Sequence, residues 1–148
     1  MKNPAMTVAT LVAILLAAGP AAACDHLRAE RGWLRQPPPG SDSAAAYLVL
    51  HNDGSEALTV RGVSSPAFAR AMMHETRYVE GRAEMRHLHA VEIAPGGRFE
   101  ARPGGAHLML VEPRQTLALD DMVELRFECA QGDPLVTWVP VRRSAPTP

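Results

Sequence analysis

The residues with the most chemistry in them lie late in the chain. In His107-Leu108-Met109, positions i and i+2 of an extended strand face the same side, so an imidazole and a thioether project together while Leu108 and Leu110 turn to the core. The triplet alone says little, because an isolated Met is core filler more often than a ligand. His74 and Met85 change the weighing. Glu80-Gly81 between them reads as a hairpin turn, which lays their strands side by side. His74, Met85, His107 and Met109 then form a set of two imidazoles and two thioethers. Soft thioethers favour Cu(I), and imidazole is also a good copper ligand. Zinc prefers thiolates, imidazoles or carboxylates, and calcium and magnesium require oxygen. Thiolates are lost to disulfides in an oxidising compartment, whereas thioethers survive more readily.

Neighbouring residues are weighed against this set. His87 and His89 follow Met85 at even spacing, so an unbroken strand puts all three on one side. They read first as a solvated pair, with a nitrogen site for Cu(II) as the sharper alternative. Met73 cannot share a face with His74 and reads as core, whereas Met72 can and is only a candidate for the rim of the site. Met122 precedes an apolar strand and also reads as core. Glu75 and Arg86 would point to the core side beside their ligand neighbours, so the strands are expected to end or bend there, leaving both as surface charges. His51, near an Asp-Gly turn, reads as solvated, and His26 has nothing to join it to the set.

The elements that must position these residues read as short strands. Apolar residues alternate, and Gly, Pro, Asn and Asp clusters interrupt them about every ten residues. Strands are expected at residues 47–50, 58–63, 71–78, 83–93, 98–101, 107–111, 123–129 and 135–141. The clearest is Val123, Leu125, Phe127 and Cys129 alternating with Glu124, Arg126 and Glu128. Seven to nine strands in about 125 residues imply an all-β single domain, a β-sandwich or small Greek-key barrel. Its chemistry then sits at loops or strand ends.

The order His74, ten residues, Met85, twenty-one residues, His107-x-Met109 resembles the signature of the periplasmic PCu(A)C copper chaperones. Gly32-Trp33-Leu34-Arg35 with Pro37-Pro38-Pro39-Gly40 resembles the family's opening segment, and Pro103-Gly104-Gly105-Ala106-His107-Leu108-Met109-Leu110 another of its blocks. The likeness spans about residues 30–141. It implies a cupredoxin-like barrel or sandwich and one Cu(I) held near the surface by two His and two Met. It further implies delivery to a respiratory oxidase, notably its dinuclear CuA centre, so that the acceptor is the copper-bearing oxidase subunit or another copper chaperone. Some members carry a His/Met-rich C-terminal tail that helps bind Cu(II). This chain ends Arg142-Arg143-Ser144-Ala145-Pro146-Thr147-Pro148 and has none.

Composition bounds the remaining classes. Residues 1–23 open with Lys2, continue in a short apolar run and end in Ala21-Ala22-Ala23, the layout of a secretory signal peptide. A retained anchor is the alternative, though the run is short for a spanning helix. The reading is therefore an exported, periplasmic domain at residues 24–143, without a membrane span once processed, and a disordered tail at 144–148. A formal charge of −1 and 5% aromatic residues give neither the basic patch nor the stacking platform that nucleic acid requires. Cys24 and Cys129 are open to three readings: a disulfide, two free thiols, or a lipid on Cys24. A blue-copper electron carrier needs a Cys thiolate with two His, yet no His follows Cys129. No Cys-x-x-Cys and no Ser-His-Asp grouping suggests an enzyme. A copper-storage protein would need the same four ligands as a chaperone.

Overall fold

A computed structural model describes residues 24–146. The expected signal peptide, residues 1–23, lies outside the described residues, as do residues 147–148. After a short 3-10 turn at Cys24–His26, ten strands follow: β1 (Leu27–Arg35), β2 (Ser43–Asn52), β3 (Leu58–Ser64), β4 (Phe68–Val79), β5 (Arg82–His87), β6 (Val91–Ile93), β7 (Arg98–Ala101), β8 (Ala106–Pro113), β9 (Met122–Cys129) and β10 (Leu135–Arg142).

Pairing runs β5-β4-β8-β2-β1-β10-β9-β3-β6, with β7 beside β2. The path is open, ending at β5 and β6, so the sheet does not close into a barrel. It folds over as a sandwich. The layers are joined by the parallel pairs Leu34↔Val141 and Arg35↔Arg142 of β1 and β10. In β2, residues Tyr47 to Leu50 are buried on both faces, as expected of a central strand covered from two sides. In β9, Val123, Leu125 and Phe127 point inward and alternate with Glu124, Arg126 and Glu128. Leu34, Leu50, Leu58, Leu108 and Leu110 complete the centre of the core.

Cys24 and Cys129 form a disulfide across 105 residues, with a Cα–Cα separation of 5.5 Å. It ties the first described residue to the end of β9. A sulfur bonded in this way has no valence left for a lipid thioether, so the disulfide and a lipid on Cys24 exclude one another.

The ten strands exceed the seven to nine expected, and three further expectations about them require correction. Residues 83–93 are not one strand: the chain leaves β5 after His87 and resumes in β6 at Val91. Leu88 packs against the core and donates its N–H to the Met73 carbonyl at 2.8 Å, which bends the chain there. Met122 opens β9 on the outer face and is exposed, not core. The strands around the metal-ligand candidates do not end at Glu75 and Arg86, which are paired in register. The core instead stops at Met73, and β4 and β5 run on as a solvated hairpin. Glu75 there accepts from Arg77 at 2.7 Å and from Arg86 at 3.2 Å. Those guanidiniums, Arg77 first, hold its carboxyl below the usual range.

Candidate metal centre

Three adjacent strands carry the donors. β4 lies between β5 and β8, and both neighbours run antiparallel to it. His74 stands directly opposite His107 on β8, and Met72 opposite Met109. On the other side His74 stands opposite His87, and Thr76 opposite Met85. Directly opposed residues share a face. His74, Met72, Met85, His87, His107 and Met109 therefore all project from one side of the sheet. Met73 and Leu108, paired with each other, project from the other side into the core.

Two turns set this register. The β4–β5 hairpin closes through Glu80 (φ 49°) and Gly81 (φ 77°) between the paired residues Val79 and Arg82. Positive φ at both central positions is the turn whose twist matches that of the flanking strands. Before β8, Pro103 and Gly104 (φ 79°) form a tight turn closed by the Gly105 N–H donating to the Arg102 carbonyl at 3.0 Å. Pro at the first central position and Gly at the second suit a turn that needs φ > 0 at the second.

The second turn also supplies a partner that the sequence did not name. The Gly105 carbonyl accepts from the Thr76 N–H at 3.1 Å and lies 3.1 Å from His107 Nδ1. With the proton on Nδ1, His107 donates to that carbonyl, leaving Nε2 free to bind a metal. Metal-binding histidines are commonly held in this way by their second nitrogen. His74 is oriented differently. Its Nδ1 lies 3.1 Å from the Met85 sulfur, close to the roughly 3.5 Å separating a nitrogen and a sulfur on one tetrahedral ion. The His74 and His107 ring centres are 5.9 Å apart and nearly perpendicular.

The environment favours the uncharged form of His74. Partial burial pushes its pKa down, and the adjacent His107 and His87 push it further the same way. A neutral imidazole is the form that binds metal. His107 is buried, Met72 and Met109 are half-buried, and Met85 is 59% exposed. The cluster thus runs from a buried nitrogen to an exposed sulfur at the rim. Among the described residues no three His, Cys, Asp or Glu side chains are grouped to hold a metal ion. The donor set around His74 and His107 reaches three and more only with its thioethers, which suits a soft ion.

His51, expected to be solvated, is half-buried and lies 2.9 Å from Glu30 in the β1–β2 pair, away from the cluster in the register. Sequence reasoning also missed that His87 faces His74 directly. Counting outward from the two-residue turn at Glu80-Gly81 would have paired them.

A family model described as "Putative lipoprotein LpqE-like" matches residues 27–141. The chain belongs to the LpqE-like family. A curated relative of the LpqE-like chain, the "Putative lipoprotein Lxx21020" of Leifsonia xyli subsp. xyli (strain CTCB07), is 26% identical over 124 residues, covering 83% of this chain and 74% of the relative. Among solved structures, the LpqE-like chain matches the copper-bound PCuAC domain from PmoF2 with a TM-score of 0.66 at 20% identity, over 80% of this chain and 94% of that one. It matches CuI-DR1885 from Deinococcus radiodurans, a solution structure, with a TM-score of 0.61 at 23% identity, over 76% and 75%. The LpqE-like chain therefore has the cupredoxin-like fold of PCuAC domains, the fold that the resemblance implied.

Proposed function

We propose that this protein is an exported copper chaperone that carries one Cu(I) on His74, Met85, His107 and Met109. The observation that carries the reading is the 3.1 Å approach of His74 Nδ1 to the Met85 sulfur, with His74 itself facing His107 in register. Copper is supported independently by two proteins of the same fold, one copper-bound and one holding Cu(I). His74 and His107 supply imidazole nitrogens, and Met85 and Met109 supply soft sulfurs. Copper is cargo here, not a resident cofactor, and the protein performs no catalysis of its own.

The exposure gradient favours delivery. An acceptor can approach Met85 on the edge hairpin without unfolding the sandwich. A thiolate or imidazole of the acceptor then displaces the weakly bound thioethers first and the imidazoles last. Delivery to the CuA centre of a respiratory oxidase is part of the proposal, as is a periplasmic location. The lipoprotein names of the family and of the Leifsonia relative are compatible with export. Among the described residues no helix is long and apolar enough to cross a membrane.

X-ray absorption of the Cu(I)-loaded protein tests the ligand set. The proposal expects two nitrogen and two sulfur scatterers, with one sulfur lost in Met85→Leu and another in Met109→Leu. Mixing the loaded protein with a soluble CuA domain tests delivery. Copper that stays on the chaperone with excess apo acceptor present would remove the oxidase from the proposal while leaving the site intact.

A further inference from the structure

The imidazoles do not stop at the thioether cluster. From buried His107 a row of four rings runs out to the exposed edge of the sheet. Ring-centre separations are 5.9 Å from His107 to His74, 5.3 Å from His74 to His87, and 4.5 Å from His87 to His89. His87 is the last residue of β5, an edge strand, and His89 lies in the bend just beyond it. Both are exposed. Leu88 between them turns inward and is held by its N–H to the Met73 carbonyl at 2.8 Å. That anchor fixes the backbone and leaves the two flanking rings outside, side by side.

We propose that His87 and His89 form a second copper site, whose protein ligands are nitrogen alone and which is selective for Cu(II). Two arguments carry it. The first is geometric. On a tetragonal ion with metal–nitrogen bonds of about 2.0 Å and a right angle between them, two ring centres lie about 4.5 Å apart. The His87–His89 separation of 4.5 Å has that value. The second is chemical. Cu(II) takes nitrogen and oxygen in tetragonal arrangements, whereas thioethers select Cu(I). His87 stands on the side of His74 away from His107 and Met109, His89 lies beside it, and solvent supplies the remaining equatorial positions. This inference extends the proposed Cu(I) function to the second oxidation state, and its nitrogen site does not depend on Met85 or Met109.

The test is aqueous Cu(II) titrated into the purified protein against glycine as competing chelator, read by electron paramagnetic resonance. All proteins carry His26→Ala, which removes the imidazole nearest the expected processing point. The parent is expected to bind one tetragonal Cu(II) with nitrogen hyperfine structure. Met85→Leu/Met109→Leu should keep that spectrum and affinity while losing Cu(I). His87→Ala/His89→Ala should lose Cu(II) affinity by about tenfold or more yet keep Cu(I) binding, which also shows that it folds. Unchanged Cu(II) affinity and spectrum in His87→Ala/His89→Ala would overturn the proposal. So would loss of Cu(II) in the thioether variant, since the ion would then sit in the Cu(I) site. Failure of the Cu(I) reading is separate and appears as Cu(I) binding indifferent to Met85 and Met109.

Discussion

Met85 reaches His74 on the diagonal, not from across the hairpin. The residue opposite His74 is His87, and the residue opposite Met85 is Thr76, yet the Met85 sulfur lies 3.1 Å from His74 Nδ1. Diagonal neighbours on a sheet are within reach only of long side chains. The unbranched thioether, with its three rotatable bonds, has that reach. The arrangement depends on register, because a slip of one residue would turn Met85 and His87 to the opposite face.

The turn that fixes the register is therefore a point of attack. Gly81 sits at φ 77°, where a residue with a Cβ costs roughly 1–2 kcal/mol. Gly81→Val should loosen the β4–β5 hairpin and lower Cu(I) affinity by up to roughly tenfold. The midpoint of global unfolding should barely move, because the hairpin beyond His74 lies outside the core. Chelator competition and calorimetry on the same variant check both halves. Unaltered affinity would mean that the turn does not hold Met85 in place.

The two imidazoles are expected to bind through different nitrogens. His107 Nδ1 is engaged by the Gly105 carbonyl at 3.1 Å, whereas His74 Nδ1 faces sulfur. In the Cu(I)-loaded protein, long-range nitrogen–proton correlation spectra should show His107 protonated on Nδ1 and His74 on Nε2. The same tautomer at both residues would contradict this geometry.

Acid should act on His74 with a definite sign. Its pKa is lowered in the folded protein by burial and by His107 and His87. As pH falls, the unfolded chain takes up this proton first, near the ordinary value of about 6.5. The contribution to stability is thus complete above that value and declines as pH drops towards the lower folded value. Urea unfolding of the copper-free protein between pH 8 and 5 should show this slope, reduced in His74→Gln. An identical slope in both would assign the pH dependence to other groups.

Removing the disulfide should cost stability and leave the site alone. Cys24 and Cys129 are 105 residues apart, and loss of a native bridge typically costs about 2–5 kcal/mol. Cys24→Ser/Cys129→Ser should unfold at lower urea while its folded fraction binds Cu(I) as before. The intact mass of the exported protein, measured before and after reduction, separates the bridge from a lipid on Cys24. A lipid mass would contradict the disulfide.

Much of the strand geometry around the candidate site was legible because parity is a strong constraint. His107-x-Met109, with Leu108 between and Leu110 after, admits one orientation on a strand against a core, and the structure has it. Met73 and Met72 divide between core and site face by the same rule. Parity failed where the chain bends. The alternation over residues 83–93 looked continuous, but Leu88 turns inward and breaks the strand into β5 and β6. β1 was not read as a strand, because a bulge between Glu30 and Trp33, with Arg31 at φ 52°, disrupts its alternation. Glu75 and Arg86 misled in another way. A sequence does not say where a core ends, and the hairpin simply outruns it. The carbonyl that orients His107 was hidden for a simpler reason: backbone partners leave no trace in residue identity.

The most direct test of the account is Cu(I) binding under anaerobic, reducing conditions, in competition with a chromophoric chelator, comparing the wild type with Met85→Leu/Met109→Leu. The account predicts one tight equivalent in the wild type and a much weaker one in the variant. Absence of tight binding, or binding indifferent to the two thioethers, would contradict it.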